Sequence, residues 1–119
     1  MYLGVKLIED MAGHFPEVEE SYACHVENFD GEVLPHVFLW DLIGEIVESS
    51  LVEDDWLVAW GPVLDFLEAR ATEGDTEDIN VISHSFLLSL PYPDSPGYSI
   101  INHLGPSLAQ RLSQIRPSG

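Results

Sequence analysis

Apolar residues along this chain recur every three or four positions, the period of an amphipathic helix. No run alternates with the period of two that a half-buried strand needs. Ile8, Met11 and Phe15 share one face of a first helix that stops near Gly13 or Pro16. Val18, Tyr22, Val26 and Phe29 continue at helical spacing up to Asp30-Gly31. Pro35 suits the first turn of a third helix, where a missing N–H costs nothing. That helix presents Leu39, Trp40, Ile43, Ile46 and Val47 and fades at Ser49-Ser50. Val52, Trp56, Ala59, Val63 and Leu67 carry the pattern through Gly61-Pro62. A kink or break is expected there, because proline removes a donor and clashes with the preceding turn. Asp75 reads as an N-cap, with Glu77 and Asp78 at the positive helix end. Ile79, Ile82, Phe86 and Leu90 then form a face, and residues 91–97 are the longest loop signal. A last helix begins at Pro106 and runs through Leu108, Leu112 and Ile115 to Pro117. The fold class this implies is all-α: a single compact domain, residues 1–119, of five to seven short amphipathic helices.

Charge changes the picture most. Four Lys and Arg stand against 21 Asp and Glu, a formal net charge of −17. For a chain of this mass the folded surface is roughly 6,500 Å², or about 400 Å² per excess negative. Neighbouring charges then lie not much more than two Debye lengths apart, so the potential is continuous. Direct binding to nucleic acid or anionic lipid is excluded on this ground, because both need clustered Lys and Arg. A cationic partner is favoured. Residues 1–60 hold fourteen acids and one base, Lys6, whereas residues 61–119 hold seven acids and Arg70, Arg111 and Arg116. One cysteine, Cys24, excludes an internal disulfide framework and fits a reducing compartment. With no signal peptide or membrane-spanning run in view, a cytoplasmic location is expected.

Reactive constellations are weak. His14, His25 and His36 are spaced by eleven, but Pro16, Gly31 and Pro35 break any helix that would align them. His36 near Asp41 and Glu45 lacks the spacing of known metal sites, and Cys24-His25 point about 100° apart on a helix. Ser83-His84-Ser85 lies in an apolar helix, where its hydroxyls should bond back to the preceding turn. The acidic turns do not fit a calcium loop, and glycine-rich phosphate loops are absent. The expectation is a protein that is not an enzyme, with no catalytic residues, no metal and no cofactor.

Carboxylates without compensation stand out instead. Asp41, Glu45 and Glu48 fall at i, i+4 and i+7 on one solvent-facing stripe, where exposed helices ordinarily interleave lysine. Glu53, Asp54 and Asp55 follow directly, beside Trp56 and Trp60, and Glu17, Glu20 and Glu27 make a second stripe. Trp40 and Trp56 are assigned to the core by helical phase. Trp60, just before Gly61-Pro62, joins the acids as an aromatic anchor of the kind found at interface hot spots.

The run Asp30-Gly31-Glu32-Val33-Leu34-Pro35-His36-Val37-Phe38 resembles a signature, D-G-E-x-L-P-H-V-F, of a family of small acidic bacterial proteins. Leu64–Glu68 (L-D-F-L-E), Ile82–Leu87 (I-x-x-S-F-L) and Leu104–Leu108 (L-G-P-S-L) stand in the same order, so the resemblance spans about Tyr22 to Leu112. Leu88 departs from it, since an acid often follows the Phe-Leu pair there. Many members look like immunity proteins of polymorphic-toxin systems. The resemblance implies an all-helical fold and a stoichiometric inhibitor of a cognate toxin domain with a basic surface; it assigns no site residues. Asp41, Glu45, Glu48, Glu53, Asp54, Asp55 and Trp60 are the partner-binding candidates read from charge and spacing, with Glu27, Asp30 and Glu32 behind them. The alternatives are an acidic nucleic-acid mimic or general protein-interaction module and, third, a metal-dependent or enzymatic domain.

Overall fold

The computed structural model describes residues 3–117, and every regular element among them is helical. The order is α1 (Val5–His14), α2 (Pro16–Asn28), α3 (Pro35–Val52), α4 (Trp56–Glu73) and α5 (Thr76–Val81). The chain then passes without a gap into a π-helical turn, Ile82–Phe86, and a 3-10 turn, Leu87–Ser89. A further 3-10 helix, Tyr98–His103, precedes α6 (Pro106–Ile115). All-α architecture is therefore the observed class, with helix ends close to those the breakers mark.

Local chemistry accounts for most of the boundaries. A single extended residue, Phe15 (φ −130°, ψ 121°), separates α1 from α2, and Pro16 opens α2. At the end of α2, Asp30 takes the left-handed conformation (φ 54°), and the Gly31 N–H reaches back to the Val26 carbonyl at 2.8 Å. That six-to-one closure satisfies a carbonyl the helix would leave orphaned. Asp75 caps α5 by accepting the Asp78 N–H at 2.9 Å.

α3 is the central element. It packs against α2, α4 and the π-turn, while α4 also holds α5 and α6. Phe38, Leu39, Leu42 and Ile46 of α3 are inaccessible, and with Leu7, Ile8, Met11, Leu64, Leu67, Ile82, Phe86 and Leu87 they form one core cluster.

Four expectations are corrected here. Trp40 is not core: it is 65% exposed, because the buried face of α3 is Phe38-Leu39-Leu42-Ile43-Ile46, rotated by about 70° from the face expected. Val52 is 74% exposed, as α3 ends there and the chain turns at residues 53–55. Helix α4 runs through Pro62 without a break. Pro62 and Val58, the residue whose carbonyl loses its partner, are both exposed on the same side, so water can satisfy that oxygen. Finally, the Ser85 hydroxyl does not bond to its own preceding turn; it pairs with His36 Nδ1 on α3.

The loop and the helix termini are tied by three long-range polar clamps. The Arg116 guanidinium bonds to the carbonyls of Leu87 (3.2 Å), Leu90 (2.8 Å) and Pro91 (3.0 Å) and stacks 4.0 Å over the Tyr92 ring. Arg70 bridges Asp10 of α1 (2.7 Å) and Asp78 of α5 (3.1 Å), the only ion pairs found between described residues. Glu68 of α4 accepts the N–H groups of Ser107 and Leu108, each at 2.9 Å, and so caps α6, whose own cap residue Gly105 has no side chain to offer.

Candidate interaction surface

Where α2 crosses α3, the two acidic stripes meet. Glu17 and Glu20 from α2, Asp41, Glu45 and Glu48 from α3 and Glu53 just after it line one open groove of about 760 Å³. Its floor is made by His25, Phe29, Phe38 and Trp60, and neither lysine nor arginine lines it. The geometry follows from helical periodicity, since i, i+4, i+7 acids share a face and α2 presents its own acids across from them.

Glu45 sits at the centre. Its Oε2 accepts the Ser21 hydroxyl across the groove at 2.6 Å. Desolvation raises its pKa; the Ser21 hydrogen bond opposes that, and repulsion from Asp41, Glu20 and Glu48 reinforces it, leaving the carboxyl above its ordinary value. Elsewhere the balance reverses: burial pushes Glu68 upward, but the hydrogen bonds from Leu108, Ser107 and Thr72 outweigh it and hold that carboxyl low.

His25 is 4% exposed and wedged between Phe29 (4.8 Å between ring centres) and Phe38 (5.5 Å). Its Nε2 accepts the Leu34 N–H at 2.9 Å, which places the neutral ring's proton on Nδ1, a buried donor that has no partner. Burial lowers its pKa, partly offset by the Asp41 charge.

Comparison with family models, with curated proteins and with solved structures found no match for this chain. The resemblance drawn above thus rests on its quoted motifs alone.

Of the candidates, Asp41, Glu45, Glu48 and Glu53 are brought together in the groove. Trp60 is there too, but as a wall residue: it is 6% exposed and its Nε1–H donates to Ser49 Oγ at 3.1 Å. Asp54 and Asp55 stand apart, exposed in the α3–α4 turn and flanked along the chain by exposed Leu51, Val52 and Val58. Glu27, Asp30 and Glu32 are exposed and do not line the groove. Sequence reasoning missed Ser21, His25 and Trp40. The hydrophobic phase of α2, read from Val26, hid that His25 points inward instead.

Among the described residues no group of three His, Cys, Asp or Glu side chains is placed to hold a metal ion. None of their helices is long and apolar enough to cross a membrane.

Proposed function

We propose that this chain is an immunity protein, a stoichiometric inhibitor that binds a cognate toxin domain through the acidic groove. One observation carries the reading: carboxylates from two separate helices face a single groove that no lysine or arginine lines. Self-repulsion of that kind is a standing cost in the free protein, and a cationic partner relieves it on binding. Toxins that attack nucleic acids or nucleotides need basic clefts, and a chain of charge −17 is steered to such a cleft faster than the unsteered rate of about 10⁵–10⁶ M⁻¹s⁻¹. Inhibition is then steric and electrostatic, with Asp41, Glu45, Glu48 and Glu53 standing where substrate phosphates would.

The test is a binding and protection assay with a candidate basic toxin domain taken from a neighbouring reading frame. Co-expression should restore growth, and the purified pair should form a one-to-one complex. Association should slow by more than about tenfold between about 50 and 500 mM NaCl. Asp41→Ser, Glu45→Ser and Glu48→Ser together should weaken the complex by at least about tenfold with helical circular dichroism intact. A salt-independent on-rate and an unaffected triple variant would refute the charge mechanism. Equal binding to many unrelated basic proteins would favour a general acidic mimic over a dedicated inhibitor.

A further inference from the structure

The exposed crest of α3 has two flanks of opposite character, and only one of them is acidic. On the other side Trp40, Ile43, Gly44, Val47, Pro91 and Pro96 line a second cleft of about 380 Å³, between α3 and the loop that follows the 3-10 turn. Gly44 and Asp41 line both the groove and this cleft. Helical rotation of about 100° per residue puts Gly44 about 40° from Trp40 and opposite the Leu42–Ile46 core line, with the acids beyond it. Gly44 is thus the low point of the ridge that divides the apolar cleft from the acidic groove.

Nothing inside the fold calls for glycine at this position. A side-chain carbon built on Gly44 would meet no atom within 4 Å beyond the adjoining backbone of its own helix, and its backbone is not left-handed. Glycine in a helix interior costs about 0.5–1 kcal/mol relative to alanine. The missing side chain leaves the crest open to close approach from outside.

The cleft is also preformed. Gly97 (φ 85°) seats its loop against Val47 so tightly that a side-chain carbon there would lie 2.7 Å from Val47 Cγ1. The Arg116 clamp on the Leu90 and Pro91 carbonyls fixes the other end of the same loop. Trp40, 65% exposed at the mouth, belongs to the residue class enriched at interface hot spots. Across the ridge, His25 lines the groove and carries a buried Nδ1–H with no partner.

From these features we infer that the crest of α3 is a two-part docking saddle. Its occupant is a basic segment of a partner protein that crosses at Gly44, places lysine or arginine side chains in the groove and inserts an apolar side chain beside Trp40. The charge of −17 selects against a second copy of this chain and against an anionic lipid surface as occupant. The inference rests on the acidic-groove reading and adds to it an apolar anchor and the position of the crossing.

Two synthetic peptides test it, each with several lysines and arginines, one carrying a central Trp-Leu pair and the other Ser-Ser at the same positions. They are titrated into the ¹⁵N-labelled full chain at low salt. The Trp-Leu peptide should bind about tenfold more tightly and should move the Trp40 indole and Gly44 amide resonances. Gly44→Leu, which enters open space, should cut that preference to about threefold or less, with the melting temperature not lowered. Equal affinities for the two peptides, or no effect of Gly44→Leu, would overturn the saddle while the groove reading stands. Absence of binding by both peptides would overturn the groove reading and the saddle with it. Trp40 shifts that depend on protein concentration without peptide would make a second copy the occupant and overturn the proposal.

Discussion

Replacing Glu45 by glutamine should stabilise the free protein and weaken the proposed binding of a basic partner. Asp41 and Glu48 flank Glu45 at i−4 and i+3 on α3, and Glu20 faces it from α2. Each like-charge neighbour costs a few tenths of a kcal/mol at an exposed helical position. Glutamine removes all three repulsions and keeps an oxygen to accept the Ser21 hydroxyl, although a neutral acceptor makes a weaker bond than a carboxylate. Because Glu45 is solvent-exposed, screening trims both effects, and a net gain of about 0.5 kcal/mol is expected. For a chain of this length that is about 2 °C in melting temperature. The pH dependence has a definite sign. Glu45 has a folded pKa above its unfolded one, so its contribution favours the fold below about pH 4 and is lost as pH rises through the folded value. The gain from Glu45→Gln should therefore appear at pH 7 and vanish near pH 3, and should shrink in about 1 M NaCl, where the Debye length is about 3 Å. Denaturant titrations at both pH values and both salts measure it. A variant less stable than the parent at pH 7 in low salt, or a gain that persists at pH 3, would refute the account of the groove as self-repelling.

Other expectations follow from the same structure. Glu68→Ala removes the cap of α6 and should cost about 1–2 kcal/mol, with Glu68→Gln recovering part of it; since the folded Glu68 pKa is depressed, the parent's advantage over both should fade as pH drops through that value. A denaturation midpoint unchanged in Glu68→Ala would show that α6 needs no such cap. His25 resists protonation in the fold, so below about pH 6.5 stability should fall by up to about 1.4 kcal/mol per pH unit until its folded pKa is passed. His25→Gln should flatten stability between about pH 5 and 7, and ring resonances that titrate at the ordinary histidine value would contradict this. Gly44→Ala should raise stability by about 0.5–1 kcal/mol, read as a higher denaturation midpoint at constant slope.

Periodicity and punctuation were enough to place the helices. Pro16, Pro35 and Pro106 open α2, α3 and α6, and Asp75 caps α5, because a missing N–H or a side-chain acceptor acts within one turn and needs no tertiary partner. The stripe Asp41, Glu45, Glu48 was legible for the same reason. Three local signals misled. Pro62 would break a helix whose freed carbonyl faced the core, but here it faces water. The passage from α5 into a π-turn buries Ile82, Phe86 and Leu90 of the expected face, but it buries Ser83 and Ser85 as well, which a regular helical period does not mark because a wider turn changes the spacing itself. The face of α3 was ambiguous because apolar residues cover more than half its circumference.

What the sequence by itself determined is an all-helical chain, most of its helix starts and an N-terminal half rich in uncompensated acid. Each of those depends on residues within a few positions of one another. Only the tertiary structure decided that the acids of α2 and α3 share one groove, that Trp40 faces solvent while Trp60 is walled in, and that the Glu68 carboxylate caps a helix some 40 positions away. Those outcomes depend on how far α3 is rotated against its neighbours, and that rotation is set by the joint packing of Phe38, Leu42 and Ile46 with side chains from every other part of the chain, a balance that no local window contains.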